Sequence, residues 1–247
     1  MQVVTNGLLT NYFKSGDGKT ILLLHGWGDS SATFNKLSEQ LGTNFQVLTL
    51  DLPGFGGTQR PEAVWDLDNY AEFIAEWLKK IGVSKLYGIV GHSNGGAIAI
   101  NGLSSQKLSV QKLVLLASSG VRVPKKSLKV TAKVGKVATA PLPTDLKNKI
   151  RKRFYSGIGS EMLLFPEMEQ TFRNLVGHDV LAEAEKINIP TLLIYGKNDK
   201  DTPPEYGSKF NTVIKNSELK VLPDAGHFVH HDQPEETNRL IMDFLRP

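Results

Sequence analysis

Serine, aspartate and histidine occur in this 247-residue chain in an order that can support nucleophilic chemistry. Ser93 sits in Gly91-His92-Ser93-Asn94-Gly95, a G-x-S-x-G arrangement. Before it runs an apolar, β-forming stretch (Leu86, Tyr87, Ile89, Val90); after it comes a breaker-free helical one (Ala97, Ile98, Ala99, Ile100). A strand that turns sharply into a helix can hold the residue at the turn in a strained conformation with its side chain thrust out. The neighbours must be small, because the two backbones pass close together. A serine hydroxyl is a weak nucleophile until a base takes its proton, and that base needs a third group to orient it. Downstream, "IYGKNDKDTPP" places Asp199 just past a buried apolar run, and "LPDAGHFVHHDQPEE" places His227 in a later loop. The order Ser, acid, His is the one a nucleophile elbow requires. Asp201 competes with Asp199 for the acid role, but is expected to cap the helix that "TPPE" opens.

The elements needed to position these residues are legible as period. Strands are expected at 7–12, 20–25, 46–51, 86–91, 112–117, 189–196 and 218–222, and helices at 31–41, 69–81, 94–106, 204–213 and 234–245. "ILLL", "VLTL" and "LVLL" are continuous apolar runs rather than alternating ones. Strands buried on both faces read that way, so the pattern predicts an α/β fold, a mostly parallel central sheet flanked by helices. Asp199 and His227 then lie beyond carboxyl ends of strands, where such sheets bind ligands. From 119 to 188 the strand pattern breaks into helical stretches interrupted by Pro141, Pro143 and Pro166. Residues 1–118 and 189–247 are thus expected to form the core domain, with 119–188 inserted as a helical cap.

Five blocks, "LLLHGWGDSS", "DLPGFGGT", "GHSNGG", "LIYGKNDKDTP" and "DAGHFVHHDQPEE", resemble the α/β-hydrolase fold superfamily, most closely its small capped members that hydrolyse esters and amides. They cover nearly the whole chain outside the cap. The resemblance implies that Ser93 is the nucleophile, His227 the base and then the acid, and Asp199 the group that holds the imidazole. It implies further that the backbone N–H groups of Trp27 and Asn94 form an oxyanion hole, with Gly26 letting the loop approach. Serine at the elbow argues against epoxide- and haloalkane-cleaving relatives, which carry aspartate there. The resulting expectation is a carboxylic-ester hydrolase. The alternatives are an amidase or thioesterase, a lactone hydrolase, a carbon–carbon bond hydrolase acting on vinylogous diketones, or a binding protein on the same scaffold. Phe154, Met162, Leu163, Leu164 and Phe165 are candidates for an acyl pocket.

Other residues receive structural readings. His25 is expected to orient the oxyanion loop, His92 to point away from the reaction, and His178, His230 and His231 to lie at the surface or pack helices. Asp51 is expected to shape a turn, and the Asn94 side chain is left open as a substrate contact. His230, His231 and Asp232 do not form a convergent metal-ligand pattern, so neither metal nor cofactor is expected. The absence of cysteine excludes disulfides and a cysteine nucleophile, and fits a reducing compartment. The apolar runs are too short to span a bilayer, and the N-terminus carries no basic segment followed by an apolar one; a cytoplasmic protein is expected. The net charge is +4, yet residues 122–153 hold eleven Lys or Arg against one acid, +10, leaving −6 elsewhere. Lys126, Lys129, Lys133 and Lys136 fall on one helical stripe, read as a solvated face, with attraction of anionic membrane surfaces the alternative. No nucleic-acid recognition motif accompanies the charge. The expected partner is a small acyl substrate, with oligomeric state open.

Overall fold

The computed structural model describes residues 1–122 and 165–246. The basic stripe, and the pocket candidates Phe154, Met162, Leu163 and Leu164, lie outside the described residues.

Eight strands form one sheet: β1 Gln2–Thr5, β2 Leu8–Ser15, β3 Thr20–Leu24, β4 Gln46–Leu50, β5 Gly88–His92, β6 Lys112–Leu116, β7 Thr191–Gly196 and β8 Ser217–Leu222. Their spatial order is β1-β2-β4-β3-β5-β6-β7-β8. β1 and β2 pair antiparallel with each other, as do β2 and β4, and every later pairing is parallel. The apolar runs serve two cores at once. In β3, Leu22 and Leu24 belong to one hydrophobic cluster while Ile21 and Leu23 belong to the other, because side chains alternate along a strand.

The helices among the described residues are α1 Asn35–Leu41, α2 Leu67–Lys80, α3 Asn94–Ser104, α4 Glu169–Gly177, α5 Leu181–Ala184, α6 Pro204–Val213, α7 Val229–Asp232 and α8 Pro234–Leu245. A 3₁₀ turn, Ser31–Phe34, precedes α1. α2 lays Tyr70, Phe73, Ile74 and Trp77 on the cluster that contains Leu22 and Leu24. α1 and α8 lay Leu37, Leu41, Ile241 and Leu245 on the opposite cluster. α2 starts two residues earlier than its apolar period predicts, because Asp66 caps it: the Asp66 carboxylate accepts from the Asn69 N–H while the Asn69 amide oxygen accepts from the Asp66 N–H. α6 starts without a side-chain cap, so the expected capping role of Asp201 is not found. Pro204 occupies its first position, where the missing N–H costs nothing.

Candidate active site

Four loops meet at one end of the parallel strands: 25–30 after β3, the elbow after β5, the loop after β7, and 223–228 after β8. Ser93 joins β5 to α3 at φ 52, ψ −119. This left-handed region costs a non-glycine residue on the order of 1–3 kcal/mol, and the surroundings must enforce it. They do so through backbone approach. A Cβ on Gly91 would lie 2.6 Å from the Gly96 Cα, and one on Gly95 would lie 2.2 Å from the Leu24 carbonyl oxygen. The Ser93 N–H donates to the Leu116 carbonyl, and the Ser119 N–H donates to the Ser93 carbonyl, so β6 and its following turn grip the elbow from both sides.

Asp199 and His227 are in contact. His227 Nδ1 lies 2.9 Å from Asp199 Oδ2. The Asp199 side chain is fully buried, and its other oxygen accepts from the N–H groups of Asp201 (2.8 Å) and Thr202 (3.0 Å). Burial alone would push the Asp199 carboxyl up. The His227 imidazole and the Thr202 donors outweigh that and hold it below the usual carboxylate value. The carboxylate is thus ionised and aimed at Nδ1, which leaves the far ring nitrogen as the basic one. Gly196 makes the pairing possible: a Cβ there would sit 2.2 Å from the Gly226 carbonyl oxygen, so only a glycine lets the two loops touch. The Asn198 N–H then joins them by donating to the Ala225 carbonyl at 2.9 Å.

Thr202 is the residue the sequence pattern missed. Its hydroxyl lies 2.8 Å from Asp199 Oδ2, 2.9 Å from the Ala117 carbonyl and 3.0 Å from His227 Nδ1. It brackets the carboxylate on the side away from its backbone donors. The available signal was its place three residues after Asp199, where an Asx-type turn returns N–H groups to the carboxylate. Asp201, exposed, brings an oxygen within 4.8 Å of this pair, making a three-residue group of metal-ligand type. Nδ1 and both Asp199 oxygens are, however, already engaged with one another and with Thr202.

The 25–30 loop passes directly over the elbow. A Cβ on Gly26 would lie 3.1 Å from Ser93 Cβ and 3.2 Å from His92 Nδ1. His25 is buried; the Leu52 N–H donates to its Nε2, so Nδ1 carries the proton and donates to the Gly26 carbonyl at 2.7 Å. Its pKa is lowered, chiefly by burial, and the ring is neutral. The Trp27 N–H donates to no other described residue, and Asn94 opens α3, so its N–H has no intrahelical acceptor. The Asn94 side chain, left open by the sequence, is engaged: its Oδ1 accepts from the Ser119 hydroxyl at 2.7 Å. Asp51 anchors this side: one oxygen accepts from the Ser31 N–H, the other from the Gly57 N–H and the Asn11 amide.

Trp27 also begins an aromatic wall. Its ring centroid is 4.8 Å from Phe55, 5.0 Å from Phe172 and 6.4 Å from Phe165, with Phe55 and Phe165 5.1 Å apart. Phe165 is the one acyl-pocket candidate within the described residues. One histidine departs from expectation. His92 does not point away from the site, for its Nε2–H donates to the His227 carbonyl at 3.0 Å. His230 is buried, with Nε2 3.0 Å from the Thr33 hydroxyl, and burial drops its pKa to about 3. His178 is bonded to Glu183, and the Nε2 of the exposed His231 donates to the Thr33 carbonyl. No helix among the described residues is long and apolar enough to cross a membrane.

The chain is similar to known proteins over nearly its whole length. The uncharacterized hydrolase YugF of Bacillus subtilis is 26% identical over 254 residues, covering 95% of this chain and 93% of its own. The 2-hydroxy-6-oxo-6-(2'-aminophenyl)hexa-2,4-dienoic acid hydrolase of Metapseudomonas resinovorans is 26% identical over 259 residues, covering 98% and 89%. Among solved structures, a membrane phospholipase A described as a bacterial virulence factor superposes with a TM-score of 0.79 at 27% identity, covering 99% of this chain and 84% of that one. The model of the alpha/beta hydrolase family matches residues 21–240, from β3 through the elbow into α8, and the chain belongs to that family.

Proposed function

We propose that this hydrolase cleaves carboxylic esters through an acyl-enzyme formed on Ser93. The observation that carries the reading is the buried Asp199 carboxylate held 2.9 Å from His227 Nδ1, in loops that converge on a strained serine. Ser93 Oγ attacks the ester carbonyl carbon while its proton passes to His227 Nε2. The carbonyl oxygen, now negative, is stabilised by the N–H groups of Trp27 and Asn94, which have no competing acceptor among the described residues. As the tetrahedral intermediate collapses, the carbon–oxygen bond to the alcohol breaks and the alcohol leaves with the proton from His227. Water then repeats the sequence on the acyl-enzyme, giving the acid and free Ser93. No metal or cofactor enters these steps. The wall of Trp27, Phe55, Phe165 and Phe172 supports an apolar acyl group.

The same machinery supports a second reading, hydrolysis of a carbon–carbon bond in a vinylogous diketone, favoured by the similarity to the dienoic acid hydrolase. A p-nitrophenyl ester series from acetate to long-chain acids, run with wild type and Ser93→Ala, tests the first. Turnover that collapses by about 10⁴-fold or more in the variant supports it. An inert wild type that instead bleaches a 2-hydroxy-6-oxo-dienoate gives the reaction to the second.

A further inference from the structure

The elbow motif contains a second side chain whose placement calls for a role. His92 is 1% exposed, and its ring is enclosed by groups from three loops. Its centroid lies 4.9 Å from that of His227, 4.9 Å from His230 and 5.0 Å from Phe228, while Gly26 closes over its Nδ1 edge. Among the described residues its one polar contact is the 3.0 Å hydrogen bond to the backbone carbonyl of His227. A carbonyl only accepts, so Nε2 must carry the proton and Nδ1 is left with a lone pair that has no partner among the described residues. A lone buried acceptor is a cost of order 1–3 kcal/mol, and the protein carries it at a residue adjoining the nucleophile.

We infer that His92 is a positioning residue for the proposed reaction: its Nε2–H ties the backbone of the base, His227, to the elbow that carries Ser93, and its ring supports the loop that carries Trp27. The reasoning rests on the assignment of Ser93 and His227 made above. Asp199 and Thr202 hold His227 by its side chain from β7. Neither contact fixes the distance from His227 to β5, and the His92 bond spans that gap. One ring thereby sets nucleophile, base and oxyanion loop against one another. His230 and Phe228 close the outer side, so the ring has no room to turn away from the carbonyl. An apolar residue of the same size would fill the space without the tether, and a glutamine would restore a donor near the Nε2 position.

The test uses the full chain with His92→Phe and His92→Gln beside wild type and Ser93→Ala. Readouts are kcat and KM on the best p-nitrophenyl ester, the rate of Ser93 labelling by a fluorophosphonate, and thermal midpoint. The expectation is that His92→Phe folds, loses at least tenfold in kcat with KM within twofold, and loses labelling rate by the same factor. His92→Gln recovers to within about threefold of wild type. Where His92→Phe does not fold, His92→Asn takes its place; its shorter amide stops short of the carbonyl, and the same loss is expected. Wild-type kcat and labelling in the tetherless variant, or a glutamine variant no better than phenylalanine at equal thermal midpoint, overturns the positioning role while leaving the Ser93 reading intact. A wild type that neither turns over ester nor takes the label overturns the Ser93 reading, and the role of His92 with it.

Discussion

Substituting Gly95 by alanine tests whether the site is held by backbone contact. The added Cβ would fall 2.2 Å from the Leu24 carbonyl oxygen, 2.6 Å from that of His25 and 2.7 Å from the Leu24 carbonyl carbon. None of these is a flexible side chain, so relief requires α3 to move away from the end of β3. Reaching even a tight 3.0 Å from the nearest oxygen takes a displacement of roughly 0.8 Å, the difference between 3.0 and 2.2 Å. Ser93 and Asn94 immediately precede this residue and must move with it, away from Trp27. A misplacement near 1 Å costs about 10²-fold, so kcat is expected to fall by roughly 30- to 100-fold. Overpacking of this kind costs about 1–3 kcal/mol, equivalent to about 2–12 °C in Tm for a chain of this size. Gly102→Ala, further along α3, supplies the comparison. Its Cβ would meet Leu108 Cδ1 at 2.6 Å and Cγ at 2.9 Å, a side chain that can shift, and it lies two turns from the elbow. That variant is expected to lose stability but keep wild-type kcat. Steady-state kinetics and thermal melts on both proteins decide the matter. A Gly95→Ala enzyme with wild-type kcat, or a Gly102→Ala enzyme as impaired as Gly95→Ala, refutes the reasoning.

Thr202→Val keeps shape and removes the hydroxyl that brackets Asp199 Oδ2. Losing a hydrogen bond to a charged group costs about 1.5 kcal/mol, so kcat should fall about tenfold with KM unchanged in ester kinetics. Asp51→Asn leaves two of the N–H donors around Asp51 facing an amide, and should destabilise the fold by about 1–3 kcal/mol at neutral pH. Burial raises the Asp51 pKa, but the Gly57 and Ser31 N–H groups and the Asn11 amide outweigh it and hold the folded value below that of the free side chain. A carboxylate so depressed adds stability above its unfolded pKa of about 3.9, and that stability disappears as pH falls through the folded value. Thermal midpoints between neutral pH and about pH 3 should therefore decline less steeply in Asp51→Asn than in wild type; parallel curves would count against the account.

Where local sequence and tertiary packing ask for the same thing, the chain could be read directly. α6 and α8 occur at 204–213 and 234–245 as their period predicts, because proline marks both starts. The parallel strands were legible from their unbroken apolar runs, although β5 starts at Gly88 rather than Leu86. β1 went unread. Its four residues are too short for a period, yet the Asn6-Gly7 turn joining it to β2 has both residues at positive φ, 48° and 81°, and that dipeptide is a hairpin signal in its own right. Asp66 likewise caps α2 through a reciprocal pair with Asn69 that lies outside the apolar period. At the site, motif and chain order single out Ser93, Asp199 and His227 as candidates. The structure brings Asp199 and His227 into hydrogen-bond contact. Thr202 and His92 could not be given roles that way. Thr202 stands only three residues from the Asp199 it brackets, but its contact to His227 spans 25 residues, and that of His92 spans 135 to a backbone carbonyl that any residue could supply.

The division of labour within the site follows from which atoms do what. β3, β5, β7 and β8 end at one edge in parallel register, so the loop after each starts one or two strand spacings, about 5–10 Å, from the next. Glycines at 95 and 196 let those loops touch backbone to backbone, Gly26 lets its loop close over the Ser93 and His92 side chains, and the His92 ring and Asp51 carboxylate tie down what remains. Such contacts are indifferent to the substrate. On the proposed function, selection falls to side chains mounted on this frame, and among the described residues these are Trp27, Phe55, Phe165 and Phe172. Phe165 and Phe172 come from the segment before β7, outside the four loops that carry the proposed chemistry. Changes there are expected to alter which acyl group is held without moving Ser93, Asp199 or His227. On the proposed function, ester or diketone is decided on the aromatic side of the cleft, while the rate of either reaction is decided at the glycine contacts and the His92 bond.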